Sequence, residues 1–348
     1  MATTFVEPGG HNTYVPSTQA TDNMVVDFSR NPNDFALPKY TQYVPVKLND
    51  GRYTRITIEV AGRIMQVNNA DTLWPDGTDA QLGNANRESF GYFNYRTERH
   101  QYPVNHGELS AEQASWELLA TASRQQAQRA MTARTQEAIT LLTTTGNWAA
   151  ASTSTVATMD GVTGKHDVST TARKDIKRSF DVAAKTIQLN TLSAVRPGDM
   201  MVVVGPDWAR KISVSQEIVD HVKQSPAARE ELEDGLAPNN RYGLPSTLYG
   251  YPIVIEDTAK VTSRKGATDA RSFVMDGDSV IMLSRPGGLV GVEGARSFST
   301  CTVFLKEEMT VESKHDKDNR RHQTRVVDDF DVELTAPAAG FLMTDALT

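Results

Sequence analysis

Between Arg52 and Val67 the chain alternates, with Ile56, Ile58, Val60 and Ile64 on one face and Thr57, Glu59 and Arg63 on the other. Period two predicts a strand with one face against an apolar surface. A turn-rich stretch follows from Asn68 to Arg87, holding Trp74-Pro75-Asp76-Gly77 and Gly83-Asn84-Ala85-Asn86. The chain returns through an aromatic strand, Phe90-Gly91-Tyr92-Phe93-Asn94-Tyr95. Together these predict a long hairpin with an elaborate tip. A two-stranded ribbon is marginal alone in water, so it needs a surface to lie on, and no neighbouring stretch of sequence obviously supplies one.

The pattern then changes period. Ser110-Ala111-Glu112-Gln113 has the form of a capping box, and from there to Thr144 there is no Gly or Pro. The residues are mostly good helix formers, and Gly146 is placed to cap the end. The expected helix, 110–144, has about 35 residues and a length of about 50 Å. Its apolar stripe is thin: Leu118, Ala122, Met131, Ala138, Ile139 and Leu142. It lacks a sustained heptad, which argues against a coiled coil.

Shorter elements follow. Asn147–Val168 reads as a loop. A helix from about Thr171 to Asn190 puts Ile176, Phe180, Ala183 and Ile187 on one face. Arg196-Pro197-Gly198-Asp199 reads as a turn, and Met200–Val204 is a continuous apolar run that fits a strand buried on both faces. Gly205-Pro206-Asp207 opens a short helix with Trp208 and Ile212 inward. A further helix near Gln216–Gln224 groups Ile218, Val219 and Val222. Arg229–Pro245 reads as a polar loop. Three strands come next, Tyr251–Ile255, Arg271–Met275 and Ser279–Leu283, with Asp276-Gly277-Asp278 as hairpin chemistry between the last two. Two longer strands close the chain. One has Val303, Leu305, Met309 and Val311 on a face; the other has Val326, Phe330, Val332 and Leu334. Lys314–His322 between them reads as a solvated tip. No internal repeat is found. The order of elements predicts an α+β fold.

Residues 1 to about 50 do not look like a globular start. They are rich in Thr, Asn, Asp, Pro and Gly, with short apolar pieces such as Met24–Phe28 and Tyr43–Val46. An isolated subunit is expected to leave them loose, or laid on its own core or a neighbour's. The N-terminus has no basic start and no apolar stretch, so a secretory signal is not expected. No run approaches the roughly 18 apolar residues that cross a bilayer. With 39% apolar and 23% charged residues in 348, the composition fits a folded chain long enough for two lobes. The net charge of −7, with basic residues dispersed among acids, argues against sequence-specific DNA binding. The one cysteine, Cys301, cannot form an internal disulfide and reads as a small buried apolar residue at a strand start.

Tests for chemistry come back empty. Gly161-Val162-Thr163-Gly164-Lys165-His166 has two residues between its glycines, where a phosphate loop needs four, and His where it needs Ser or Thr. Gly288–Gly294 has spaced glycines without a following helix. Gly277-Asp278-Ser279 sits in an expected turn without a His nearby in sequence. Asp76-Gly77-Thr78-Asp79 falls short of a calcium loop, and the seven histidines form no zinc pattern. The acid pairs Glu307-Glu308 and Asp328-Asp329 read as solvated strand faces. No catalytic, cofactor or metal residue is assigned, and an enzyme is not expected.

Three stretches carry a resemblance. Tyr95-Arg96-Thr97-Glu98-Arg99-His100-Gln101-Tyr102-Pro103-Val104 leads into the long helix. Arg196–Trp208 is followed by Ile218-Val219-Asp220-His221-Val222-Lys223. The third is Leu248-Tyr249-Gly250-Tyr251-Pro252-Ile253-Val254-Ile255. In this order they resemble the major capsid proteins of tailed bacteriophages, over nearly the whole chain and most specifically over residues 90–256. The resemblance implies an N-terminal arm (1–50), an extended E-loop hairpin (51–100) and a peripheral domain with the spine helix (101–194). It further implies an axial domain (195–300) and return strands with the C-terminus (301–348). It implies pentamers and hexamers closing into an icosahedral or prolate shell around double-stranded phage DNA, contacted non-specifically. Assembly contacts are expected at Arg63, Leu73, Trp74, Asp76, Asp79, Lys223, Glu230 and Glu231. A separate scaffolding protein and a portal are expected partners, a decoration protein is an open one, and no membrane is involved. Synthesis in the host cytoplasm and residence in the virion follow. The fold is shared with encapsulins and the herpesvirus capsid floor, so an encapsulin-type nanocompartment shell is the alternative reading.

Overall fold

The computed structural model describes residues 4–6, 12–14, 30–55, 75–77, 91–108, 118–233, 242–264, 266–268, 270–286 and 299–348. The first strands are β1 (Thr4–Val6) and β2 (Asn12–Tyr14), then, after helix α1 (Leu37–Tyr40), β3 (Gln42–Pro45) and β4 (Asp50–Arg55). β5 (Gly91–Arg96) and β6 (Glu98–Gly107) lead toward α2 (Leu118–Thr143). β7 (Thr153–Thr155), α3 (Asp175–Asn190) and β8 (Met200–Val204) follow. Three short helices come next, α4 (Pro206–Ser213), α5 (Gln216–Gln224) and α6 (Pro226–Glu233). Then come β9 (Thr247–Leu248), β10 (Tyr251–Ile255), β11 (Ala259–Val261), β12 (Arg271–Phe273) and β13 (Val280–Ser284). The chain closes with β14 (Thr302–Asp316), β15 (Arg321–Glu333) and β16 (Gly340–Thr344).

The chain divides into two units. The smaller comprises residues 1–35, 98–133 and 307–329; the larger comprises 36–97, 134–306 and 330–348. The backbone of α2, β14 and β15 runs through both. In the smaller unit, Tyr102, Ala130 and Val326 form a core with Ala127, Ala133 and Met309 beside them. The Arg129 guanidinium lies 5.7 Å from the Tyr102 ring centre. β1 and β2 pair antiparallel, Thr4 opposite Tyr14.

The larger unit is organised on a six-stranded sheet in the order β7-β16-β13-β8-β10-β9. β10 runs parallel to β8; β13 runs antiparallel to both β8 and β16. Alternation sends the two faces into two cores. Val202 and Val204, Val280 and Met282, Phe341 and Met343 pack with Phe180, Ile187, Trp208 and Ile212 of α3 and α4. Met201 and Val203, Ile281 and Leu283, and Leu342 pack with Leu37 and Tyr40, with Ala138, Ile139 and Leu142 of α2, and with Phe330 and Val332 of β15. A strand covered on both faces needs an uninterrupted apolar run, which is why Met200–Val204 reads as it does.

Several expectations hold. β4 and β5 pair, Asp50 opposite Arg96 and Arg55 opposite Gly91, as a hairpin requires. Ile176, Phe180, Ala183 and Ile187 are all fully buried, as are Trp208 and Ile212. On α2, Ala122, Met131, Ala138, Ile139 and Leu142 are buried and Leu118 is half-buried. Residues 110–117 of the expected helix, with its capping box, lie outside the described residues, as do Ile56–Trp74, Thr78–Phe90 and the Gly288–Gly294 stretch.

Others are corrected. Gly146 does not cap α2 through a left-handed turn; it sits in the 3₁₀ turn Thr145–Asn147. The last carbonyls are instead covered by side chains: Asn147 Nδ2 donates to Leu141 O and Trp148 Nε1 to Leu142 O, both at 2.8 Å. α3 begins at Asp175, not Thr171, because Lys174 takes a left-handed φ of 51° and breaks the turn. α6 occupies the first part of the expected 229–245 loop, since Pro226 stands at its start and Ala and Glu are good helix formers.

The expected 271–283 hairpin does not form. Asp278 N donates to Asp276 Oδ1 at 2.7 Å, an Asx turn that redirects the chain. β12 pairs with β11, Val261 opposite Arg271, while the wholly apolar β13 enters the central sheet, where both its faces are covered. The Asp328-Asp329 pair is not solvated: both are buried within the run Val326–Phe330 of β15, an inner strand between β14 and β6. Arg99 Nε lies 3.7 Å from Asp329 Oδ2. Glu307 and Glu308 are exposed as expected. Burial fades along β14, from Val303 at 0% to Val311 at 58% exposure, because β3 accompanies only Thr302–Leu305. Part of the first 50 residues lies on the chain's own core, one of the two placements expected for its apolar pieces. Leu37 and Tyr40 are fully buried, and β3 pairs parallel with β14, Gln42 opposite Thr302.

Candidate functional site

The hairpin 50–96 is the first candidate, because a long ribbon must rest on something. Its base rests on its own unit. Tyr53, Phe93 and Tyr95 surround Phe304, with Val44 and Val46 alongside. The Tyr95 and Phe304 rings stack at 4.5 Å, and Tyr53 stacks on Phe304 at 5.7 Å. Offset aromatic stacking of this kind adds to area burial. Thr97 N donates to Asn49 O at 2.8 Å and closes the base. Of the assembly residues expected on the hairpin, Asp76 lies in an exposed turn with Gly77, whose φ is +82°. Arg63, Leu73, Trp74 and Asp79 lie outside the described residues.

Lys223 and Glu230 fall on the consecutive helices α5 and α6, and both are exposed. Lys223 Nζ is 4.0 Å from Asp220 Oδ1, one turn back on its own helix. Arg229 Nη2 donates to Lys223 O at 3.2 Å, joining the start of α6 to the end of α5. Glu231 belongs to α6, with its side chain outside the described residues.

These helices are held by a buried carboxylate that no sequence pattern marks. Glu217, 3% exposed, sits in the first turn of α5. Its Oε2 accepts from Ile176 N at 3.1 Å and from the Ser169 hydroxyl; its Oε1 accepts from Lys177 N at 3.0 Å and from Tyr249 Oη at 2.7 Å. An acid from one helix thus covers the free N–H groups of another, where the positive end of the dipole favours it. Tyr249 stands with Gly250 in the two-residue turn joining β9 to β10, at φ of 53° and 88°. Positive φ at both centres is the type I′ arrangement. Burial first, then the bond to Glu217, holds the Tyr249 hydroxyl well above its ordinary pKa.

Two further buried groups connect elements. Tyr40 Oη donates to Glu256 Oε2 at 2.8 Å, and the Thr258 hydroxyl donates to Oε1 at 2.5 Å. Burial pushes the Glu256 carboxyl up, against the downward pull of those bonds. Trp208 Nε1 donates to His166 Nδ1 at 3.1 Å, so the ring proton lies on Nε2, which faces Ser179 Oγ at 2.8 Å; the Ser179 hydroxyl in turn donates a hydrogen bond to Ile176 O. Burial lowers the His166 pKa to about 4, outweighing Asp175 and Asp167. His166 belongs to the glycine-spaced 161–166 stretch, whose Thr163 N donates to Asp175 Oδ1 and whose His166 N donates to Ala346 O, both at 2.9 Å.

Cys301 is fully buried, one residue before β14, with its thiol pushed up to about 12 by desolvation. A thiol so held is a poor nucleophile. Among the described residues no group of three or more His, Cys, Asp and Glu could hold a metal ion, and no helix is long and apolar enough to cross a membrane. An open groove of about 530 Å³ lies on the β14–β15 hairpin, lined by Glu312, Ser313, Lys314, Gln323 and Arg325. Within it Arg325 and Glu312 form an ion pair at 2.5 Å.

No protein-family model matches the chain, and no curated protein matches it. Solved structures do. A phage-related protein from Bordetella bronchiseptica RB50 superposes with a TM-score of 0.56 at 15% identity, over 88% of this chain and 90% of that one. The capsid structure of cyanophage P-SCSP1u gives 0.57 at 10%, over 94% and 92%. The mature capsid of bacteriophage PhiM1 gives 0.51 at 13%, over 92% and 89%. The chain has the fold of phage capsid proteins. At these identities it is the path of the backbone that is shared, while most side chains differ. Among the residues that hold the phage-capsid fold together here are Glu217, Tyr249 and Glu256, which sequence reading missed. Glu217 has the place of an ordinary first-turn helix acid. Tyr249-Gly250 carries a turn signal, yet nothing in the sequence says where the tyrosine hydroxyl goes.

Proposed function

We propose that this chain is the major capsid protein of a tailed bacteriophage, a structural subunit that self-assembles into pentamers and hexamers of a closed shell around double-stranded DNA. The observation that carries this reading is the extent of the match: about nine-tenths of the chain follows the backbone of two phage capsid structures, and about nine-tenths of those chains is covered in return. On this reading residues 1–50 are an arm whose last part, Leu37–Pro45, is pinned to the body. Residues 51–100 form the E-loop, and the segment around α2 with the return strands from 301 forms the peripheral domain. Strands β8, β10 and β13 of the central sheet, with α4–α6, fall in the axial domain, 195–300.

The described part of the ribbon, β4 with β5, is anchored on its own unit, and the expected contacts Arg63, Leu73, Trp74, Asp76 and Asp79 belong in sequence to the stretch between those strands. Contacts spread over such outlying segments are weak singly and strong jointly. A separate scaffolding protein, a portal and non-specific contact with the packaged DNA go with the reading, as does residence in the virion. The test is direct. Purified protein, alone and with the scaffolding protein encoded beside it, is followed by light scattering and electron microscopy. Capsomers or closed shells are expected; a persistent monomer under every assembly condition overturns the proposal.

A further inference from the structure

The β11–β12 ribbon pairs with no other strand of the described sheets. Most of its residues are exposed, and Val261 is 64% exposed on it. Its base is tied to the body where the Arg210 guanidinium lies 5.6 Å from the Phe273 ring centre. Residues 259–273 carry Lys260, Arg264, Lys265 and Arg271 against one acid, Asp269, in a chain whose net charge is −7. Helix α6 has the opposite sign: Glu230, Glu231 and Glu233 against Arg229. Lys260, Arg264 and Glu230 have no ion-pair partner among the described residues. One chain thus presents a basic finger and an acidic helix, with an exposed valine on the finger.

We propose that the β11–β12 ribbon of one copy docks on helix α6 of a second copy, Lys260 and Arg264 facing Glu230, with Val261 covered at the centre of the contact. The proposal rests on the shell-forming reading above and names one contact within it. Because finger and helix are different surfaces, the contact is head-to-tail, and repeating it generates a ring if the rotation closes. Opposite charges steer the encounter and fix its register, while juxtaposed like charges oppose it.

The experiment is a charge swap in the full chain. Lys260→Glu with Arg264→Glu, and separately Glu230→Lys with Glu233→Lys, are each expected to lower the assembled fraction by about tenfold or more at moderate salt. All four substitutions together are expected to bring assembly back to near the parent level. Melting temperature of the subunit, read alongside, is expected to stay unchanged, because the finger carries its charges on an exposed ribbon. If the parent assembles and the finger variant assembles equally well, the docking proposal falls while the capsid reading stands. If the four-fold variant stays unassembled, this pairing is also wrong. A finger variant that forms normal shells but loses bound nucleic acid would reassign the finger to the packaged DNA and overturn the proposal. If the parent itself never assembles, the failure belongs to the capsid reading.

Discussion

The Glu217 carboxylate satisfies donors from the Ser169 hydroxyl, from two backbone N–H groups of α3 and from Tyr249. A buried group with that many partners is costly to lose, because each stranded donor keeps its desolvation penalty. Glu217→Ala is expected to destabilise the subunit by about 3 kcal/mol or more in urea unfolding. Tyr249→Phe removes one of the bonds and is expected to cost about 1 kcal/mol. Equal effects of the two would contradict the shared role of the carboxylate. His166 gives a pH dependence of known sign. Its pKa is about 4 when folded, against an ordinary 6.5, so the folded state binds fewer protons between those values. The neutral ring's contribution is full above about pH 6.5 and is lost as the pH falls toward 4, up to about 3 kcal/mol. Carboxylates titrate in the same window, so the informative quantity is the difference between parent and His166→Gln. The variant's stability is expected to fall less steeply from pH 7 to pH 4.

At the scale of elements, α3 is the member whose loss of packing is easiest to read. Phe180 is fully buried, meeting His166 and Tyr251 edge-on at 6.2 Å each. Phe180→Ala is expected to cost about 3–5 kcal/mol, and an unchanged melting temperature would refute its place in the core. The face of α3 was legible because its apolar spacing is regular, and so was β8, because an unbroken apolar run admits few other readings. The failures share a cause: local signals were read where long-range partners decide. Asp276-Gly277-Asp278 has hairpin chemistry, but Val280–Leu283 is apolar on both faces and is drawn between β8 and β16. Asp328-Asp329 looks solvated until β14 and β6 flank it. Gly146 is the exception, a local failure: it looks like a cap, but Asn147 and Trp148, six residues from the carbonyls they cover, reach them first. Carboxylates such as Glu217 and Glu256 show nothing in sequence, since burial of an acid depends on donors that can be far away along the chain: Tyr40 and Glu256 are separated by 216 positions.

For the whole molecule the question is which parts fold by themselves and which need neighbours. The long hairpin separates the two within one element. Its base is closed by the pairing of β4 with β5 and by the stacking of Tyr53 and Tyr95 on Phe304 and of Phe93 on Tyr53, all within the larger unit. That stack explains how a ribbon that would be marginal alone can hold its direction. It also fixes where a cut can be made without touching the core. Replacing Asn68–Arg87 by a short Gly-containing turn removes the tip and leaves every one of those aromatic contacts in place. The subunit is therefore expected to keep its melting temperature within the small change typical of surface alterations. If the tip carries the contacts assigned to Leu73, Trp74, Asp76 and Asp79, the same variant should fail to close shells while remaining folded, seen as unassembled protein in sedimentation and electron microscopy. A shortened chain that assembles like its parent would remove the hairpin from the list of interfaces, and the burden of holding copies together would pass to surfaces such as β11–β12 and α6.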